Sequence, residues 1–220
     1  MYTAILLLHI ILGAGALFSG MAAILSSKGG RRHNTAGRIF YYCMYGTGAS
    51  ALVMTLLKFN PFLLAIALFS VYLSYSGRKA ISYWRLKETY TPCLRDRVPY
   101  YIALATAIFM ILYPVVPMLQ AHRFSVPVLS VFGLIMLVLS LRDIQTHADS
   151  THFRPRNKGW LFMHIGKMSG AFIATVTAFL VNNIHIQPPW LTWLLPTAIG
   201  VPLIFLSIRK WDAKLSRGNR

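Results

Sequence analysis

"LFMHIGKMSGAFIATVTAFLV", Leu161–Val181, runs for 21 residues with one charged side chain, Lys167. Crossing a hydrocarbon layer of ~30 Å takes about 20 helical residues, so this stretch is long enough to span a membrane. Its polar residues are the puzzle. His164 and Lys167 stand three residues apart in a solvent that penalises every group left without a partner.

Six further apolar stretches lie outward from it: 2–26, 39–57, 62–75, 101–119, 126–141 and 191–208. The spans at 62–75 and 126–141 are short, but their flanks at 76–80 and 142–144 can prolong the helices. The whole chain agrees with the membrane class. Of its 220 residues 56% are hydrophobic and 12% charged, with a mean hydropathy of +0.55, whereas soluble domains carry about 25% charged residues. No hydrophilic stretch is long enough to fold separately. The expectation is an all-α integral membrane bundle of seven transmembrane helices, forming one domain over 1–220.

Twenty-two Lys and Arg against five acids give a formal charge of +17. Counted by alternate loops, nineteen of the basic residues fall in one set (28–38, 78–97, 142–158 and the tail from 209) and two, Lys58 and Arg123, in the other. That asymmetry is what the positive-inside rule predicts, with the N-terminus outside and the C-terminus cytoplasmic. The basicity therefore reads as topology and not as a nucleic-acid footprint. The expected partner is the lipid bilayer, with anionic headgroups at the cytoplasmic face. The first apolar stretch has no basic residue before it and no small-residue cleavage site, so it reads as a retained helix. Cys43 and Cys93 lack metal spacing and read as free thiols.

Helix one is rich in small residues, Gly13, Ala14, Gly15, Ala16, Ser19, Gly20, Ala22 and Ala23. Close backbone approach supplies the packing force in lipid, so this helix is expected to be central or to pack on a partner or a second copy. Ile81, Tyr83, Trp84 and Leu86 among basic residues suggest a short amphipathic helix on the cytoplasmic surface. Asn34 or Thr35 is available to cap helix two. Trp84, Trp160 and Trp211 should mark the inner interface, and Trp190 and Trp193 the outer one. Pro114, Pro117, Pro196 and Pro202 fall inside spans, where they should kink helices.

None of the five acids (Glu88, Asp96, Asp143, Asp149, Asp212) falls in the core of an apolar stretch. That argues against proton-coupled carriers, which run relays through intramembrane carboxylates. It also argues against a retinal protein, which needs a counter-ion for its lysine. Zinc-dependent membrane hydrolases need a membrane Asp beside several histidines, and no His-x-x-x-His is present. No catalytic residue is singled out.

What remains is His9, His164 and Lys167, with His33 before helix two. At 1.5 Å per residue His9 and His164 differ in height by roughly 14 Å, too far to share a metal or haem. Lys167 on its own can snorkel toward headgroups, because helical side chains slant toward the N-terminus. Alternatively, the free amides at the start of helix six, with His164, Lys167, His33 and Arg38, form an anion site for a lipid phosphate, a quinone carbonyl or an anionic substrate. A third reading gives His33 and His164 to a single haem or metal. His9 reads as an imidazole bonded to a Tyr, Ser or Thr of a neighbouring helix, with room for a ligand beside Gly13.

"LHIILGAG" (8–15), "KGGRRHNTAGRIFYYCM" (28–44), "WLFMHIGKMSGAFIATVTAFLVNN" (160–183) and "WLLPTAIGVPLI" (193–204) together resemble a family of uncharacterised bacterial multi-pass membrane proteins. The resemblance covers most of the chain. It implies a bacterial cytoplasmic (inner) membrane protein of about seven helices and brings no activity or ligand with it. The function expected from the residues is binding or transport of an anionic or lipid-like small molecule at the cytoplasmic side. The alternatives are a redox subunit with one haem or metal, or a structural subunit of a membrane complex.

Overall fold

The computed structural model describes residues 1–115, 119, 128–184 and 187–217. Among the described residues the chain is all-helical, with seven α-helices: α1 (Tyr2–Leu25), α2 (Arg31–Leu57), α3 (Pro61–Trp84), α4 (Leu94–Leu112), α5 (Val128–Ala148), α6 (Lys158–Asn183) and α7 (Trp190–Arg217). All but α4 are long and apolar enough to cross a membrane. Pro117, Arg123, Val126 and Pro127, which the sequence places around the loop between the fourth and fifth spans, lie outside the described residues.

α3 packs on α2, α4 and α6; α4 packs on α5, and α7 on α6. The buried side chains come mainly from the middle of this set: Phe69, Tyr72 and Leu73 of α3, Tyr100 and Met110 of α4, and Phe132 and Met136 of α5. α1 is peripheral and not central. Only Ala16, Gly20 and Ala23 of it are buried, while Leu7, Ile11, Phe18 and Leu25 are exposed. The buried small residues, Ala16, Gly20 and Ala23, form one narrow stripe that brings α1 close to α2 and α6 without surrounding it with protein.

The basic loops share one end of the bundle, as contacts between helix starts and helix ends show. Arg85, just past α3, reaches Asn34 near the start of α2 at 3.4 Å, and Lys158 at the start of α6 reaches Asp212 of α7 at 3.3 Å. This basic end is sealed by Tyr83, Phe153 and Trp160, with Trp160 Nε1 donating to the His152 carbonyl at 2.8 Å. Trp160 is 2% exposed, so it belongs to the core and not to an interfacial belt.

Helix boundaries also depart from the apolar pattern. α2 begins at Arg31, with Gly30 as its N-cap in place of Asn34 or Thr35. α3 continues through Trp84, so Ile81–Trp84 extend a spanning helix and do not form a separate surface one. Basic residues are good helix formers once a tertiary contact holds the turn, and hydropathy alone does not mark where the hydrogen-bond ladder stops.

Gly77 allows α3 and α6 to approach. A Cβ there would stand 2.9 Å from Met168 Cγ and 3.0 Å from Lys167 Cβ, and the second neighbour is too close to its own backbone to yield. Gly77→Val should therefore lower stability by about 1–3 kcal/mol. The thermal unfolding midpoint in mild detergent measures it, and a midpoint equal to wild type would refute this packing.

Candidate functional site

Lys167 is the tenth residue of α6, ~14 Å along the helix at 1.5 Å per residue. It does not snorkel. Its Nζ donates to Asp143 Oδ2 of α5 at 2.7 Å and also to the Tyr72 hydroxyl of α3, which in turn donates to the same carboxylate oxygen at 2.5 Å. Lys167, Asp143 and Tyr72 are 4%, 3% and 5% exposed. The Tyr72 ring also lies 4.2 Å from the ammonium. Contrary to the expectation that no carboxylate lies inside the bundle, tertiary packing carries Asp143 into its interior.

The signal for Asp143 was a stripe. Leu129, Phe132, Met136, Ser140, Asp143 and His147 recur at three- and four-residue intervals and are all buried, so the polar residues at the end of α5 continue its apolar face. His147 follows one turn later, donating Nδ1–H to the Asp143 carbonyl at 2.7 Å and stacking on Tyr100 at 4.3 Å. Asp143 and Tyr72 together engage the Lys167 ammonium and withdraw it from any ligand, while the buried His147 Nε2 is left without a hydrogen-bond partner.

His164 lies one turn nearer the basic end. Its Nδ1 bonds the Gly77 carbonyl of α3 at 2.8 Å, and His33 Nδ1 bonds the Ala23 carbonyl of α1 at 2.9 Å. A carbonyl only accepts, so each Nδ1 carries a proton, and each ring in its neutral form has its lone pair on Nε2. His33, Arg78 and Arg85 all lie within electrostatic range of His164. α6 begins at Lys158, and Asn157 Oδ1 accepts from Gly159 N at 3.0 Å, so His164 sits in the second turn of a capped helix, away from its free amides. Arg38 is exposed. His9 belongs elsewhere: its Nδ1 contacts the Thr47 carbonyl at 3.1 Å and Ser50 Oγ at 3.0 Å, tying α1 to α2.

A second carboxylate cluster holds the α3–α4 loop. Asp96 of α4 accepts from Tyr90 at 2.7 Å, Tyr83 at 3.2 Å and the Cys93 amide at 3.0 Å, and pairs with Lys79 at 3.3 Å. Burial opposes its charge, but the hydrogen bonds from Tyr90, Cys93 and Lys79 outweigh burial and hold the carboxyl below the usual range. The Tyr90 hydroxyl, bonded to that anion, is pushed up to about 12.

Charge is unevenly settled. Each of the four aspartates pairs with a lysine or histidine: Asp96 with Lys79, Asp143 with Lys167, Asp149 with His152 and Asp212 with Lys158. Among the described residues Arg31, Arg32, Arg38, Arg78 and Arg85 have no carboxylate partner within 4 Å, and all stand at the basic end. No group of three or more His, Cys, Asp or Glu side chains converges among the described residues.

Two outcomes follow. Lys167→Met or Asp143→Leu alone strands a buried charge and should cost about 3–5 kcal/mol, whereas the double variant should recover most of it; denaturant titration in detergent reads this cycle, and additive losses would contradict the pairing. For Asp96, whose folded pKa is depressed, the stabilisation is complete above the ordinary carboxylate value and is lost as pH falls through the folded one. Proteolytic nicking of residues 85–93 should accordingly rise at acid pH in wild type, while Asp96→Asn should be nicked readily at every pH.

Compared with family models, with curated proteins and with solved structures, the chain matches none.

Proposed function

We propose that this protein binds or transports an anionic or lipid-like small molecule at its basic end, through His33 and His164 with Arg78 and Arg85. The observation that carries the reading is the unpaired positive charge: the arginines around His164 have no carboxylate partner among the described residues, while every aspartate is engaged elsewhere. Guanidinium groups supply donors in a fork that matches phosphate or carboxylate. The two Nε2 atoms, oriented by the Gly77 and Ala23 carbonyls, accept a proton or a hydrogen bond from the same ligand. Lys167, taken by Asp143, leaves the set, and exposed Arg38 is at most a peripheral member.

The positive-inside asymmetry supports a cytoplasmic position for this end. An external N-terminus goes with it, and the resemblance to bacterial multi-pass membrane proteins supports a place for the bundle in a bacterial inner membrane. The protein purified in mild detergent should retain a molecule that mass spectrometry identifies. Removing one charge-assisted contact costs about 1.5–3 kcal/mol, so His164→Ala and Arg78→Gln should each weaken retention at least tenfold without changing the unfolding midpoint much. Equal retention in both variants would sink the reading.

A second reading has an observation of its own. Histidines whose Nδ1–H is held by a carbonyl are oriented as metal-ligating histidines usually are, so His33 and His164 suit a single haem or metal. The check is the purified protein's spectrum and metal content: a Soret band or stoichiometric metal lost in His164→Ala supports it, and their absence from protein made with haem and metals supplied rejects it.

A further inference from the structure

Between the end of α1 and the start of α2 lies an open groove of ≈ 530 Å³, lined by Ala22 and Ser26 of α1 and by Arg31, Arg32, Thr35, Ala36 and Ile39 of α2. His33, His164, Arg78 and Arg85 do not line it, so it is distinct from the site proposed above. Its two ends differ in chemistry. Arg31 and Arg32 form a cationic rim with no carboxylate partner among the described residues, and Ser26 and Thr35 line the groove with them. Ala22, Ala36 and Ile39 form an apolar floor, of which Ile39 is exposed. Ile39 lies eight residues beyond Arg31, about 12 Å deeper along the helix at 1.5 Å per residue. A cationic rim at the level where the spans meet the basic loops, continuous with an apolar channel below it, complements an amphiphile with its anionic group at the surface and its tail in the hydrocarbon.

We propose that this groove binds one anionic glycerophospholipid, its phosphate on Arg31 and Arg32 and the first part of one acyl chain along Ala22, Ala36 and Ile39. Two guanidiniums without acidic partners favour a headgroup of net negative charge over a zwitterionic one, whose ammonium would meet the same two cations. The apolar floor separates a lipid from a soluble phosphate, which has nothing to place there.

The test is a native mass-spectrometric titration of the full-length protein with phosphatidylglycerol and phosphatidylcholine bearing identical acyl chains. At about 1 kcal/mol for each basic residue near an anionic surface, wild type should favour phosphatidylglycerol by roughly five- to thirtyfold. R31Q/R32Q should bind the two lipids equally. K210Q/K214Q, which removes as many positive charges from α7 at the same end, should keep the preference, and A36W, which fills the floor while leaving both arginines, should lose phosphatidylglycerol binding. An undiminished preference in R31Q/R32Q, or an equal loss in K210Q/K214Q, overturns the proposal in favour of diffuse attraction. Full displacement of the lipid by millimolar glycerol 3-phosphate overturns it in favour of a soluble-phosphate site. If R31Q/R32Q does not fold, A36W decides: unchanged lipid binding in it rejects the groove. His164→Ala, titrated in parallel, separates the two proposals, because it should keep the phosphatidylglycerol preference even where it loses the molecule bound at the histidines.

Discussion

An ammonium and a carboxylate placed together inside an apolar bundle constrain everything around them. Lys167 and Asp143 are each nearly inaccessible and meet at 2.7 Å, so neither can leave without stranding the other. Tyr72 completes the contact, which thereby joins α3, α5 and α6. Interhelical hydrogen bonds in bilayers average about 0.6 kcal/mol, so the net gain from the cluster is modest. The penalty for separating its members is several times larger, and that asymmetry makes it a register lock more than a source of stability. It also explains the absence of a side chain at Gly77: without that close approach of α3 and α6, Lys167 and His164 would both be displaced from their partners.

The second organising feature is the division of the acidic residues. Four aspartates are spent on lysines and histidines, two of them, Asp96 and Asp143, in buried clusters that hold helix ends and helix pairs together. The arginines at the same end are left with solvent, lipid or ligand as their counter-charge. The buried pair uses a lysine, whose compact ammonium sits between Tyr72 and Asp143, whereas the planar fork of arginine suits the sites proposed for anions.

His33 and His164 stand between these two roles. Each is fixed by a backbone carbonyl of a neighbouring helix, Ala23 of α1 for His33 and Gly77 of α3 for His164. In its neutral form each keeps one nitrogen lone pair. His147 is similarly oriented but is enclosed by Tyr83, Tyr100, Phe153 and Trp160, which leaves it a core residue of the sealed end.

Hydropathy and helical length were enough to read an all-helical membrane protein from the chain, because about 20 apolar residues in a row have few other uses, and six helices have that character. The concentration of basic residues in alternate loops was equally legible, being a count along the chain. His9 and His164 were legible as polar groups needing partners. Their actual partners, the backbone and Ser50 of α2 for His9 and the Gly77 carbonyl for His164, were not. Nor was the pairing of Lys167, since Asp143 sits beside Arg142 at the end of an apolar stretch and reads as an edge residue until folding brings Tyr72 of α3 and Lys167 of α6 to it. A one-dimensional pattern reports which residues an environment must accommodate. Which helices approach closely enough to satisfy them depends on side-chain volume at contacts such as Gly77, and that only the tertiary structure decided.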